Sequence, residues 1–268
     1  QEKKLILERI SRYSVSITTL PPLEDIVLGK RDIESFTDVS IDDLLGRDAV
    51  EPDHHLLGKV VKDEVILVTG AGGSIGGEIC KQLVKLNPKV IVLLDISEFG
   101  LYQIERELSK YSLSCDLVMQ IGSVCDNELL EILYQDHPIT VIFHAAAYKH
   151  VPLMERNIVQ AVKNNVFGTL NIVRFAEKFN IARFVLISTD KAVRPTNVMG
   201  ATKRFCEMIL QARAAMAEPM KDPIYSMVRF GNVLGSSGSV VPLFREQIDL
   251  GGPITLTSPE ITRYFMSL

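Results

Sequence analysis

The stretch "EVILVTGAGGSIGGEICKQLVKL" (residues 64–86) decides the fold. An unbroken apolar run ends in glycine, and then Ile75, Ile79, Leu83 and Leu86 recur at the spacing of one helix face. A strand that is apolar at successive positions is buried on both sides, as in a parallel sheet covered by helices. Gly70, Gly73 and Gly76 fall between strand and helix. There they permit a tight turn and let a pyrophosphate approach the backbone. Ser74 and Ile75 open the helix, whose free N–H groups and partial positive charge suit an anion. This turn, from Gly70 to Gly76, is the candidate cofactor end.

Working outward, "KVIVLLD" (89–95) is a second buried strand ending in Asp95, with Ser97 just beyond. A carboxylate there accepts hydrogen bonds from ribose hydroxyls and repels a 2′-phosphate, which favours NAD over NADP. The alternation continues through helix "FGLYQIERELSKY", strand "DLVMQIG", helix "NELLEILYQD", strand "TVIFHAA", a long helix through "NNVFGTLNIVRFAEKF", and strand "RFVLIS". It predicts a doubly wound α/β fold, a six-strand pattern complete by residue 230. Ser123 and Val124 follow the third strand and face the same edge. Ala145, Ala146 and Ala147 follow the fourth, small enough for a cofactor to lie against the strand end, and Lys149 is placed to reach a phosphate or sugar. Asn165 joins the cofactor set; His144 and His150 read as packing or local hydrogen-bonding groups.

The flanks read differently. Residues 1–57 hold a short helical piece, "LILERI", a strand, "YSVSITTL", and an acidic, Pro-broken remainder. They suit the tail of an upstream domain plus a linker, ahead of a nucleotide-binding domain at 58–230 and a truncated substrate-binding region at 231–268. The chain does not begin with Met and stops at "RYFMSL", so it reads as a piece of a longer protein. It contains no apolar run of the roughly 18 residues a spanning helix needs. A net charge of −4 and the absence of Trp argue against a nucleic-acid partner. Cys80, Cys115, Cys125 and Cys206 form no Cys-x-x-Cys pair, and no histidine cluster has metal-ligand spacing. Cys80 and Cys206 fall on helices, where core packing is expected.

The combination "TGAGGSIG" (69–76), "HAAAYKHVP" (144–152), "NNVFGT" (164–169), "STDKAVRPTNVMGATK" (188–203) and "VRFGNVLGSSGSVVP" (228–242) resembles the extended short-chain dehydrogenase/reductases. Within them it is similar to the bacterial UDP-N-acetylglucosamine 4,6-dehydratases of the polysaccharide-biosynthesis type. The resemblance covers residues 60–268 and implies an NAD-dependent reaction on UDP-N-acetylglucosamine. C4 is oxidised, water is lost across C5–C6, and the hydride returns to C6, leaving a 4-keto-6-deoxy sugar for surface glycan or glycoprotein synthesis. It also implies a homo-oligomer whose parent protein is membrane-anchored at the cytoplasmic side of the bacterial inner membrane.

The same resemblance assigns roles. Asp190 protonates the leaving C6 hydroxyl, Lys191 takes the C5 proton, and Thr189 binds the C4 oxygen. Lys203 binds the nicotinamide ribose. Met199, four residues before Lys203, holds the position of the superfamily's tyrosine base and cannot carry a proton; some members of this branch share that methionine. Ser123 stands where relatives often have Asp, which weakens its own assignment. Asn232, Ser237, Gly238 and Ser239 offer donors to a diphosphate, Arg263 a guanidinium clamp, and "PITLT" (253–257) an edge strand beside uracil. A UDP-sugar 4-epimerase is the enzyme alternative, although it needs no C5/C6 acid–base pair. A non-catalytic NAD-sensing protein is the other.

Overall fold

A computed structural model of the chain describes residues 52–218, 221–234, 240–256, 260 and 264–266, with residues 6, 9–10, 13, 17–19 and 37–38 of the N-terminal stretch. Ser237, Gly238, Ser239 and Arg263 lie outside the described residues. The chain divides into two compact units, a larger one built on residues 52–231 and a smaller one that takes in residues from both ends.

In the larger unit a six-stranded, wholly parallel sheet is formed by β1 (Val65–Thr69), β2 (Val90–Asp95), β3 (Asp116–Ile121), β4 (Val141–His144), β5 (Arg183–Thr189) and β6 (Ile224–Phe230). The spatial order is β3-β2-β1-β4-β5-β6. Val65 lies opposite Val90 on one side, and Ile66 lies opposite Val141 on the other. The chain therefore winds outward from β1 in both directions, and the strand order reverses between β1 and β4. Open α/β sheets bind ligands at such a switch point, beyond the carboxyl ends of the strands.

The period-2 geometry of the strands splits their apolar side chains between two cores. Leu67, Val92 and Leu94 pack on one face with Leu130 and Leu133 of α4 (Asn127–Asp136), Ile172 and Phe175 of α7 (Gly168–Lys178), and Leu210 of α8 (Val198–Met216). Ile66, Val68, Ile91 and Leu93 pack on the other with Cys80 and Leu83 of α2 (Ser74–Leu83) and Ile104 and Leu108 of α3 (Glu98–Leu108). Cys80 and Cys206 are fully buried core residues, as their helical positions suggest. Three layers result, helices on both sides of one sheet.

The structure departs from the sequence reading at three places. Helix α1 (His54–Val61) runs across the expected 57/58 boundary. The Asp53 carboxylate caps it by accepting from the N–H groups of His55 and Leu56, and Val61 anchors it in the second core. The helix expected through 164–179 is continuous but begins as a π-helical segment (Val162–Phe167) before α7, and two short helices, α5 (Val151–Arg156) and α6 (Ile158–Ala161), precede it. Asn157, with φ −133° and ψ 50°, separates the two short helices. "PITLT" is not a strand over its described residues, 253–256. Thr255 instead exchanges two hydrogen bonds with Gln247: its N–H donates at 3.0 Å and its hydroxyl accepts at 2.8 Å.

In the smaller unit, Thr18–Thr19 pair antiparallel with Thr37–Asp38, and β7 (Asn232–Val233) pairs parallel with β8 (Phe265–Met266). Helix α9 (Val240–Asp249) lies between those strands in sequence. The Asn232 N–H donates to the Tyr264 carbonyl, 2.9 Å, as part of the β7–β8 pairing.

Candidate active site

A cleft of about 360 Å³ opens where the strand order reverses, lined by the ends of β1 to β4. Gly70 has φ +69°, in the left-handed region, and a Cβ there would sit 2.6 Å from the Ala146 nitrogen. The glycine turn and the loop after β4 therefore lie backbone against backbone, a contact that any side chain would pry open. Gly73 caps α2 without a side chain, so the first N–H groups of the helix face the cleft with Ser74 and Ile75 beside them. Ile75 thus belongs to the cleft wall; the core face of α2 is carried by Gly76, Gly77, Cys80 and Leu83.

Asp95 lies on the cleft wall at the end of β2. One carboxylate oxygen accepts from the Gly72 N–H at 2.9 Å, the other from the Ser97 N–H at 2.8 Å. Each oxygen keeps a second lone pair, so the side chain braces the glycine turn and retains acceptor capacity at the cleft wall. The Ser97 and Ser123 hydroxyls accept backbone bonds, from Gly100 at 3.1 Å and from Cys125 at 3.1 Å, and neither residue lines the cleft. Val124, Ala145, Ala146, Ala147 and Lys149 do line it. Lys149 is solvent-exposed as a residue, yet desolvation beside the cleft wall holds its ammonium below the usual lysine range.

The buried groups under the cleft are fully engaged. The Asn165 amide accepts from the Tyr148 N–H at 2.8 Å and donates to the Tyr148 carbonyl and the Thr202 hydroxyl, both at 3.0 Å. It shapes the cleft through the loop backbone and does not line it, whereas its neighbour Asn164 does. A π-helical turn here fits the common placement of such turns at functional sites. His144 bridges Thr69 through Nδ1, 2.7 Å, and Thr169 through Nε2, 3.0 Å. The Thr169 hydroxyl donates to the Asn165 carbonyl at 2.6 Å, so it accepts from Nε2–H, and Nδ1 accepts from Thr69. Burial, aided by the Lys203 charge, depresses the His144 pKa to about 3, so the ring is a neutral packing group.

Beyond β5, Thr189, Asp190 and Lys191 form one hydrogen-bonded turn. The Thr189 hydroxyl donates to Asp190 Oδ1 at 2.9 Å, and the Lys191 ammonium reaches the same oxygen at 3.1 Å. Both charged side chains are partly exposed, at 23% and 35% for Lys191 and Asp190. None of the three lines the cleft. Met199 is buried against Met154 and Ala161, with Tyr148, Val151 and Val198 around it. Lys203 is buried, and its ammonium donates to the Ile187 carbonyl at 2.6 Å. Burial lowers its pKa, against the opposing effects of Cys206 and Glu207. Sequence reasoning passed over Gly200, which abuts the Lys191 carbonyl, Glu207, which accepts from Ser188, and Arg229, which pairs with Glu207. Among the described residues no group of three or more acidic, Cys or His side chains could hold a metal, and no helix is long and apolar enough to cross a membrane.

The sheet order, the glycine turn and the acidic strand end define a Rossmann-type domain. The chain belongs to the polysaccharide biosynthesis protein family, whose model matches residues 66–268. It is 47% identical to the capsular polysaccharide biosynthesis protein CapD of Staphylococcus aureus over 95% of this chain and 42% of that protein. It is 35% identical to a UDP-glucose 4-epimerase of Rickettsia canadensis, over 77% of this chain and 60% of that protein. The chain thus spans less than two thirds of the length of these relatives, and under half of CapD. Its fold matches that of DesIV, a dTDP-glucose 4,6-dehydratase from Streptomyces venezuelae solved with NAD and TYD, with a TM-score of 0.66 and 21% identity over 76% of this chain and 68% of that one.

Proposed function

We propose that the chain carries the catalytic centre of an NAD-dependent UDP-N-acetylglucosamine 4,6-dehydratase. The cleft supports the cofactor part of this reading: a dinucleotide needs a turn without side chains, a helix N-terminus for its pyrophosphate and an acceptor for its ribose. Gly70–Gly76, the start of α2 and Asp95 supply these in sequence order. NAD, when bound, supplies the reversible oxidation at C4.

The single observation that carries the dehydratase reading is the Asp190–Lys191 pair, with Thr189 on the same oxygen, at the carboxyl edge of β5. Dehydration needs an acid at the C6 hydroxyl and a base at the C5 proton. Moving one proton from the Lys191 ammonium to Asp190 along their hydrogen bond creates both groups at once, with no change in total charge. Lys191 then takes the C5 proton, Asp190 gives its proton to the C6 oxygen, water leaves, and the pair is again ionic. Across the elimination, proton count and charge therefore balance within two adjacent side chains; the C4 hydroxyl proton released in the oxidation leaves separately, through Thr189, Lys191 or water.

The epimerase reading is favoured by the Rickettsia relative, but it leaves the acid–base pair without a task. The separating experiment incubates the full-length protein with NAD and UDP-N-acetylglucosamine and weighs the product. Loss of one water supports dehydration. An unchanged mass with a changed sugar would make the protein an epimerase, and no reaction at all would favour a binding protein.

A further inference from the structure

We infer that Glu207 is a positioning residue for the turn Thr189–Lys191, acting from α8 through Ser188; the inference rests on the assignment of chemistry to that turn. Gly200, Lys203 and Glu207 stand at i, i+3 and i+7 on α8 and so share one helix face, and all three are buried. Each meets the end of β5 or the turn after it. At Gly200 the Lys191 carbonyl oxygen lies so close that a Cβ would overlap it. Lys203 donates to the Ile187 carbonyl, and the Ser188 hydroxyl donates to Glu207 Oε1 at 2.7 Å. One helix face thus holds residues 187, 188 and 191, which bracket Thr189 and Asp190.

Glu207 is the group in this row with the most to hold it still. Its side chain is 0% exposed. Arg229 donates from Nε to Oε1 at 2.7 Å and from a terminal nitrogen to Oε2 at 2.6 Å; Arg204 adds a bond to Oε2 at 3.0 Å. With Ser188 that makes four donated hydrogen bonds on one carboxylate. Arg229 comes from β6, directly opposite Ser188 in the strand register. The carboxylate therefore ties α8, β5 and β6 together at a single point. A buried, fully paired charge has one low-energy position, and so does whatever hydrogen-bonds to it. A catalytic turn fixed at both ends in this way keeps the near-attack geometry that acid–base chemistry requires.

A plain structural staple would stabilise the whole sheet edge, whereas a positioning residue would act on the turn. Glu207→Gln is the harsher variant, since it leaves two guanidiniums without their countercharge. Ser188→Ala cuts only the link to the strand and keeps the Glu207–Arg229 pair. In the full-length protein, hydrogen exchange in Ser188→Ala should speed up by about tenfold at the Lys191 and Val193 amides, the effect of losing about one hydrogen bond's worth of protection. The amides of the glycine turn at 70–76 should not change, and NAD affinity should hold. Turnover should fall about 10–100-fold in kcat with KM unchanged, and Ser188→Thr, which restores the hydroxyl, should recover most of it. Unchanged exchange at these two amides would overturn the inference. So would an increase shared equally by β5, β6 and the glycine turn. If the wild-type protein does not dehydrate UDP-N-acetylglucosamine, the proposed reaction falls, and the exchange measurement alone decides the positioning role.

Discussion

Met199 is where residue-scale chemistry and residue-scale packing part company. The resemblance would put a proton-carrying tyrosine at this position, yet here the side chain is 4% exposed in a closed cluster with Met154 and Ala161. Met199→Leu nearly conserves volume, so it should cost under about 1.5 kcal/mol and keep most activity; Met199→Tyr overfills the cluster and should cost about 1–3 kcal/mol. Thermal unfolding of both variants checks the pair. A tyrosine variant as stable as wild type would mean that the cluster has room for a phenol. Asp95 braces Gly72 and, in the proposed function, accepts from ribose, so Asp95→Ala would remove both. NAD binding should weaken by about 1–3 kcal/mol, the range for hydrogen bonds to a charged group, as read by titration calorimetry. Unchanged affinity would take Asp95 out of the cofactor site. Lys191→Ala should separate two steps. Elimination should slow by about two to four orders of magnitude, as for loss of a positioned base, while C4 oxidation survives and reduced cofactor accumulates, visible by its absorbance. Dehydration at the parent rate would remove Lys191 as the base.

At the scale of elements, the strands were legible wherever both faces are covered. Val65–Thr69 and Val90–Leu94 are buried at every position, and an unbroken apolar run can mean little else when glycine follows it. The sixth strand, Ile224–Phe230, is an edge strand with exposed residues scattered along it, so it carries no such run. Glu207 and Arg229 were invisible for a different reason. A charged residue in a helix or an edge strand reads as solvated, and only the fold brings together partners 22 residues apart on α8 and β6. The π-helical turn was equally silent, because "NNVFGT" fits an α-helix as well as a π-helix. These buried groups make acid stability a property of how elements join. Burial holds His144 at about 3 against an ordinary value of 6.5, so the unfolded chain takes up a proton that the folded one refuses. Stability should therefore fall as pH drops from 6.5 toward 3, by at most about 1.4 kcal/mol per pH unit from this group. For Glu207, burial raises the pKa, but the bonds from Arg229, Ser188 and Arg204 outweigh it and hold the carboxyl at about 2 against 4.5. Its stabilisation is present above 4.5 and lost as pH falls from there toward 2. Denaturant unfolding across this range should show both windows, and His144→Asn should flatten the upper one between 6.5 and 4.5. An unaltered slope there would mean that another group titrates.

At the scale of the molecule, the division of labour follows from where the cleft sits. The described residues that line it, from Gly70 to Asn164, belong to the larger unit. Of the nucleotide-sugar candidates, Lys149 lines the cleft and Asn232 lies in the β7–β8 pairing, while Ser237, Gly238, Ser239 and Arg263 lie outside the described residues. The two units can be separated by linkage. A ligand that binds only folded protein stabilises it by RT ln(1 + [L]/Kd), about 2.7 kcal/mol at a hundredfold excess over Kd. For a unit near 180 residues that corresponds to a rise of about 5–10 °C in Tm. NAD should therefore raise the calorimetric transition of the larger unit by that amount and leave any separate transition of the smaller unit where it was. Asp95→Ala should cut the rise by about a third to nine tenths at the same NAD concentration, whereas Met199→Leu, which lies off the cleft, should keep it. If saturating NAD leaves the larger unit's transition unmoved, the cleft between the glycine turn and Asp95 is not a cofactor site, and the dehydratase reading loses the oxidant on which its first step depends.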